Sequence, residues 1–255
     1  MRFLVLAVFI IFSFGQQAIS AESVVLVTPV NSVDTVTSEV ILREAYRRIG
    51  INLVIKKYPA ERALKLANQG KVDGEVQRIN GIAAKYPNLI QVHPKINFIE
   101  GVVFSKSVTF DVKGWESLRP YRIGIIRGIK FAERNTAGMK VLPAGNYATL
   151  FKMLDRKRFD IIVSPSLNGR YQMLQAGVKG LRELSPPIMR FDLFHYLHKK
   201  NKALLPRISK VLQSMRESGD LKKIRRHVNI ILLKRVEKHL PICDKDYSCF
   251  EGKSG

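Results

Sequence analysis

The sequence predicts an α/β fold in which a mainly parallel sheet is flanked by helices, and three observations carry that expectation. After an apolar leader the chain alternates short apolar runs with amphipathic segments, in the order β-α-β-α-β with tight turns. The stretch 58–78, YPAERALKLANQGKVDGEVQR, sets a helix and a polar-ended strand side by side. The same grammar of strand, turn and helix then returns in the second half, from residue 115 onward.

Residues 24–28 form a continuous apolar run, the pattern of a strand buried on both faces. A polar loop over 29–35 leads to a helix over 38–49, with Ile41, Ala45 and Ile49 on one stripe. Thr37 or Ser38 supplies its N-cap and Gly50 its stop. Residues 52–56 read as a second strand. Pro59 then opens a helix that Gly70 closes, and Ala60, Ala63, Leu64 and Ala67 make its small apolar face. Val72, Gly74 and Val76 alternate with Asp73, Glu75 and Gln77, the period of a strand with one packed side. That order puts Glu75 and Arg78 at the carboxyl edge of the sheet, where ligands sit in open α/β folds.

Residues 80–88 read as a loop or short helix, 89–92 as an apolar segment and 98–105 as an extended stretch. In the second half, 115–118 make a helical turn and 121–126 an apolar strand ending at Arg127-Gly128. Asn146 can cap a helix with Leu150, Met153 and Leu154 inward. Residues 160–164 (DIIVS) are another buried strand, with Ser166 placed to cap the helix behind it. Residues 191–198 read as a returning strand. Leu204, Leu205, Ile208, Val211, Leu212 and Met215 then line an amphipathic helix, and residues after about 236 form an extra tail.

The leader is processing signal in pattern. Arg2 precedes an apolar run over 3–14, and Ala18-Ile19-Ser20 offers small residues at the two positions a signal peptidase reads, so cleavage is expected after Ser20 or Ala21. The run is short for a bilayer core of roughly 30 Å, and no second long apolar segment follows, so stable membrane insertion is not expected. An exported chain meets oxidising conditions, and Cys243 and Cys249 can pair there into a small loop, the alternative being two free thiols in the tail. The net charge of +22 favours anionic partners or serves as a basic solvated surface; the basic residues are densest between residues 199 and 238.

No GxSxG elbow, P-loop, HExxH or GxGxxG stretch occurs. His195 and His198 are three apart on a strand and point to opposite faces, so a shared metal is not expected. No cofactor is implied.

The chain resembles a known family, the bacterial extracellular solute-binding proteins of family 3, which serve polar amino acid ABC transporters. The resemblance is carried by "aL..G..D" within residues 63–73, by "W.sL..yrIGiirG" from Trp115, by Arg158-Phe159-Asp160 and by ESGDLKKI over 217–224. It covers about residues 24–224. It implies a two-lobed periplasmic-binding-protein-like fold of type II, with residues 21–105 as the first segment of lobe 1 and 106–190 as lobe 2. Residues 191–235 then return to lobe 1, and 236–255 remain as the tail. It implies a monomeric periplasmic protein that closes on a small-molecule solute and serves a membrane permease or a sensor, with no nucleic acid.

Candidate solute contacts are the strand ends and helix starts: Asn31, Ser32, Arg62, Glu75 and Arg78 in lobe 1, and Arg127, Lys130, Phe131, Ser164 and Ser166 in lobe 2. Arg78 can hold a carboxylate through two parallel bonds, or form a surface salt bridge instead. Phe131 can stack on a solute or pack beneath its helix. Two departures from the family pattern matter. Its carboxylate-gripping Arg is missing from INGIAAK at 79–85, leaving Lys85 or Arg78 as substitutes, and the acid expected after the last lobe 2 strand is replaced by Ser164-Pro165-Ser166. Both point away from an ordinary α-amino acid and toward an anionic solute. The alternatives are a dehydratase-like enzyme on the same fold, with Glu75 as acid or base, and a basic polyanion-binding module.

Overall fold

A computed structural model describes residues 22–30, 33–242 and 248–250. The expected signal segment, Asn31, Ser32 and Cys243 lie outside the described residues, and so does the Cys243–Cys249 pairing.

The first half runs β1 (Ser23–Pro29), α1 (Val36–Arg48), β2 (Asn52–Tyr58), α2 (Ala60–Asn68), β3 (Gly74–Ile79), β4 (Leu89–Gln91) and β5 (Asn97–Ser105). The second half runs β6 (Ile123–Ile126), α3 (Lys130–Asn135), β7 (Val141–Ala144), α4 (Tyr147–Asp155), β8 (Ile161–Pro165) and α5 (Ser166–Gln175). β9 (Arg182–His198) brings the chain back to α6 (Leu205–Glu217) and α7 (Asp220–Glu237). Among the described residues no helix is long and apolar enough to cross a membrane.

The strand order is β2-β1-β3-β9-β5-β8-β6-β7, with β4 beside β9. β1 pairs in parallel with β2 and β3, and β6 in parallel with β7 and β8. Each parallel triplet is bordered by one antiparallel strand, β9 against β3 and β5 against β8, and these two pair with each other in the middle. The chain is therefore a two-lobed α/β fold whose halves share one continuous, curled sheet. Each half has its own packing. Leu26, Ile41, Leu42, Tyr46, Ile208 and Leu212 cluster in the first, and Val103, Leu118, Ile123, Ile161 and Val163 in the second.

Several expectations are corrected. The returning strand begins at Arg182 rather than 191. Pro186 and Pro187, which lack N–H donors, argue against a strand there. The ladder tolerates them because its register jumps: Gly101 faces Met189 and Val103 faces Leu184, so residues 185–188 fall opposite residue 102. β7 carries Pro143 and has no sequence signal of a strand; it survives because it is the edge of the sheet. Neither Thr37 nor Ser38 caps α1. The N-cap is Thr35, whose hydroxyl donates to Glu39 at 2.7 Å, because a short 3-10 turn over residues 33–35 starts the helix earlier. Ser166 is the first residue of α5 rather than its cap, Pro165 holding that position, and its hydroxyl donates to Glu183 at 3.0 Å. Asn146 does cap α4, accepting from the Thr149 N–H at 2.8 Å.

The closing helices reach further than a return to the first half requires. Gly219, at φ +79°, turns the chain between α6 and α7. Leu221 packs with the first-half core, but Val228, Leu232 and Val236 meet Leu167, Tyr171 and Leu174 of α5. Ile242 and Phe250 of the tail pack on the same seam.

His195, fully buried, anchors the centre of the sheet. Its Nδ1–H donates to the Glu75 carbonyl at 2.8 Å, so Nε2 is left to accept from the Tyr46 hydroxyl at 2.9 Å. Burial pushes its pKa down to about 4. A histidine whose folded pKa is depressed stabilises the fold above its unfolded value, and that contribution is lost as pH falls from about 6.5 to about 4. Denaturant titrations between pH 7 and pH 4.5 are expected to show an acid loss on the order of 3 kcal/mol from this group. The slope should flatten in His195→Gln. Gly74 is a second sensitive point, since an added Cβ would lie 2.2 Å from the Tyr196 carbonyl oxygen. Gly74→Ala is expected to lower stability by about 2–3 kcal/mol in the same assay.

Candidate functional site

Between the two halves lies a cleft of about 520 Å³, on the side of the crossing strands that carries Ile99, Phe191 and Leu193. The first half contributes Pro29, Thr35, Gln77, Arg78 and Ile79 from the ends of β1 and β3 and the start of α1. The second contributes Gly128, Ile129, Phe131, Arg134, Asn135 and Pro165 from the β6–α3 turn, α3 and the end of β8. These are the carboxyl ends of parallel strands on both sides, the expected place for a ligand in this topology.

Arg78 stands at the first-half wall because the β3–β9 register shifts between Glu75 and Arg78. A shift of that kind re-aims side chains at the rim of a sheet. Its Nη2 lies 3.0 Å from Glu75 Oε1 and donates to the Ala60 carbonyl at 3.1 Å, while its buried Nε–H has no hydrogen-bond partner. The side chain is 17% exposed, so the guanidinium is pinned from behind and still meets the cleft. Glu75 is fully buried and has no path to a solute. Burial pushes its carboxyl up to about 8, outweighing the opposing pull of Arg78. Near neutral pH it is therefore largely protonated, and the charge on Arg78 is left uncompensated.

Gln77 ties this wall to the start of α1. Its Oε1 accepts from the Ser38 hydroxyl, and its Nε2 donates to the Asp34 carbonyl at 3.3 Å. The facing wall is apolar and aromatic. Phe131 sits edge-on to Phe191 with centroids 6.4 Å apart, and tilted against Trp115 at 6.3 Å. It reaches this position because Gly101 has no side chain; a Cβ there would lie 2.7 Å from the Phe131 ring. Arg134, one turn beyond Phe131, also lines the cleft, and among the described residues it forms no ion pair. Its i+3 spacing from Phe131 is the signal that could have singled it out.

The other sequence candidates scatter. Arg62 is exposed on α2, its guanidinium 5.3 Å from the Tyr58 ring centroid, outside the cleft lining. Arg127 is exposed and precedes the lining residue Gly128. Lys130 is the first residue of α3, one position before Phe131. Ser164 is fully buried beneath the cleft, its hydroxyl 2.7 Å from that of Tyr147. Ser166 lines a separate cavity of about 190 Å³ with Asp34, Arg170 and Asn229. Lys85, the other substitute for the family's arginine, is turned away and paired with Glu61 at 3.3 Å. Among the described residues no group of three or more His, Cys, Asp or Glu side chains could hold a metal ion.

The architecture matches solved two-lobed binding proteins. The ligand-binding core of GluR0 in complex with L-glutamate superposes with a TM-score of 0.65 at 13% identity, covering 81% of this chain and 98% of that one. A histidine kinase sensor domain with similarity to periplasmic binding proteins gives 0.62 at 16%, covering 81% and 95%. An ancestral arginine-binding protein bound to arginine gives 0.61 at 17%, covering 80% and 96%. In sequence, a protein of Shewanella oneidensis described only as uncharacterized is 25% identical over 191 residues, spanning 71% of this chain and 72% of that one. No protein-family model matches. The chain thus has the two-lobed, periplasmic-binding-protein-like α/β fold, with a cleft between its lobes.

Trp115 is the sole tryptophan and reports on the aromatic wall. Gly101→Ala is expected to displace Phe131 and change the Trp115 emission maximum while the far-ultraviolet circular dichroism is retained. Identical emission spectra would contradict this packing.

Proposed function

We propose that this protein is a periplasmic solute-binding protein that captures a small anionic solute in the interlobe cleft and presents it, as a monomer, to a membrane permease or a sensor. The observation that carries the reading is Arg78: a guanidinium held from behind by a buried, largely neutral carboxyl, with its side chain partly exposed at the cleft wall. Such a group gains most from a carboxylate, which can take two parallel N–H bonds. Arg134 adds a second positive group from the opposite lobe, so a solute with two acidic ends would draw the lobes together. Phe131 and Phe191 supply an apolar surface for its carbon frame.

The fold neighbours include proteins whose names state binding to amino acids and one sensor domain, which supports solute binding and leaves both deliveries in view. The lobe limits proposed are 21–105 with 191–235 for lobe 1 and 106–190 for lobe 2, with the signal removed after Ser20. Asn31, Ser32, Arg127 and Lys130 are kept as proposed solute contacts. The dehydratase-like alternative is disfavoured by the burial of Glu75, which leaves it no reach to a substrate proton.

A thermal-shift panel of amino acids and organic acids tests the reading. Dicarboxylates are expected to stabilise the protein and change Trp115 fluorescence, and micromolar stabilisation by a plain neutral amino acid alone would refute the anionic assignment. Arg78→Gln should weaken binding by about 1.5–3 kcal/mol, roughly ten- to a hundredfold. The sign of the pH effect also follows. Below about pH 8 Glu75 is protonated and Arg78 presents its full charge, whereas above it the new carboxylate neutralises Arg78. Affinity should therefore fall as pH rises from 7 to 9, and Glu75→Gln should abolish that fall.

A further inference from the structure

The crossing strands have a second face. Ile99 and Phe191 are cross-strand partners facing the cleft, so the neighbouring pairs Phe98–Asp192 and Glu100–Arg190 point the opposite way. There, between the start of β5, Arg190 of β9 and the α6–α7 corner, lies a pocket of about 180 Å³. Five cationic side chains line it: Lys95, Arg190, Arg216, Lys222 and Arg225.

Their arrangement is not that of a solvated basic surface. The Arg190 and Arg225 guanidiniums both lie over the Phe98 ring, 3.6 Å and 4.4 Å from its centroid. The ring holds two like charges together that water would let drift apart. Burial, with Arg190 adding to it, holds the Arg225 guanidinium below its ordinary pKa. Counter-charge is short. Asp192 binds Lys95 at 2.8 Å and Glu100 lies 3.5 Å from Arg190, but Arg216, Lys222 and Arg225 form no ion pair among the described residues. A molecule that fits would bring a compact anion to the guanidinium forks.

We propose that this pocket, behind the crossing strands, is a second binding site, for a phosphate ester. Arg190 belongs to a crossing strand, whereas Arg216 of α6 and Lys222 and Arg225 of α7 belong to helices whose Ile208, Leu212 and Leu221 pack in the first-half core. Occupancy therefore ties the hinge to those helices. A phosphate ester group is offered both by free glycerol phosphate, as a monoester, and by the headgroup of phosphatidylglycerol, as a singly charged diester.

The test is calorimetric titration of the purified protein with glycerol 3-phosphate in about 150 mM salt, where long-range attraction is screened beyond roughly 8 Å. Beside it goes co-sedimentation with phosphatidylcholine vesicles with and without phosphatidylglycerol. Saturable binding of glycerol 3-phosphate assigns the site to a free anion. Binding confined to phosphatidylglycerol vesicles assigns it to the lipid headgroup. In either case Arg216→Gln with Arg225→Gln should weaken binding at least tenfold. Lys152→Gln with Arg156→Gln, which removes equal charge from the exposed surface of the other half, should leave it unchanged. Equal loss in both double variants would make the effect one of bulk charge and overturn the proposal, as would the absence of binding to either probe. Circular dichroism and melting temperature check the variants, and if Arg225→Gln disturbs folding, Arg216→Gln with Lys222→Gln, both at exposed positions, takes its place.

Discussion

The antiparallel pairing of β5 with β9 is the contact on which the rest of the molecule depends. Each strand borders one parallel triplet, and their mutual ladder turns two separate sheets into one. Because these strands lie between the lobes, they carry side chains of opposite duty on their two faces. Ile99, Phe191 and Leu193 line the cleft on one, and Phe98 and Arg190 form, with Arg225, the cationic ring stack on the other. The register jump between Gly101 and Val103 lies in the same ladder, next to the glycine that admits Phe131. A break in pairing at that point lets a long strand bend without losing the ladder on either side.

Beneath the cleft the sheet is polar where most cores are apolar. Glu75, Gln77, Ser38 and His195 are all buried, and each has a definite contact: Arg78, Ser38 and Asp34, Gln77, and Tyr46 with the Glu75 carbonyl. Buried polar groups cost free energy unless satisfied, so such a layer fixes one arrangement and disfavours neighbours of similar energy. The exception is informative. The Arg78 Nε–H and the Glu75 oxygens lack hydrogen bonds of good geometry although the two side chains are 3.0 Å apart. The Arg78 side chain of this pair borders the cleft.

α7 adds a tie between the halves. Its first turns belong with the first-half core, and its later turns rest on α5 through Val228, Leu232 and Val236. Thr37 of α1 donates to Asn229 of the same helix at 3.1 Å, so the strap is joined to the helix that begins at the cleft. Any movement of one lobe against the other must slide or break this apolar seam, which sets a cost on opening that the crossing strands alone would not impose.

Much of this was legible in the residues. Apolar runs and punctuation placed β1, β2, α2, β3, β6 and β8 because strand alternation and Pro–Gly boundaries are local physics. Arg78 was legible too, as a charge at the end of a polar strand. What stayed hidden depends on distant partners. Pro186 and Pro187 hide half of β9, since only the ladder with β5 shows that they fall in a register jump. Ser164 and Ser166 look equivalent in sequence, yet one is buried against Tyr147 and the other faces a different cavity. The sequence by itself determined the α/β alternation and the surplus of positive charge, both set by periodicity and composition, while the two-lobed plan was implied by the family resemblance. The tertiary structure alone decided that Glu75 is sealed behind Arg78, that Arg134 joins the cleft, and that five dispersed cations converge behind the crossing strands. Solvation and pairing are properties of neighbours in space, and residue order does not contain them.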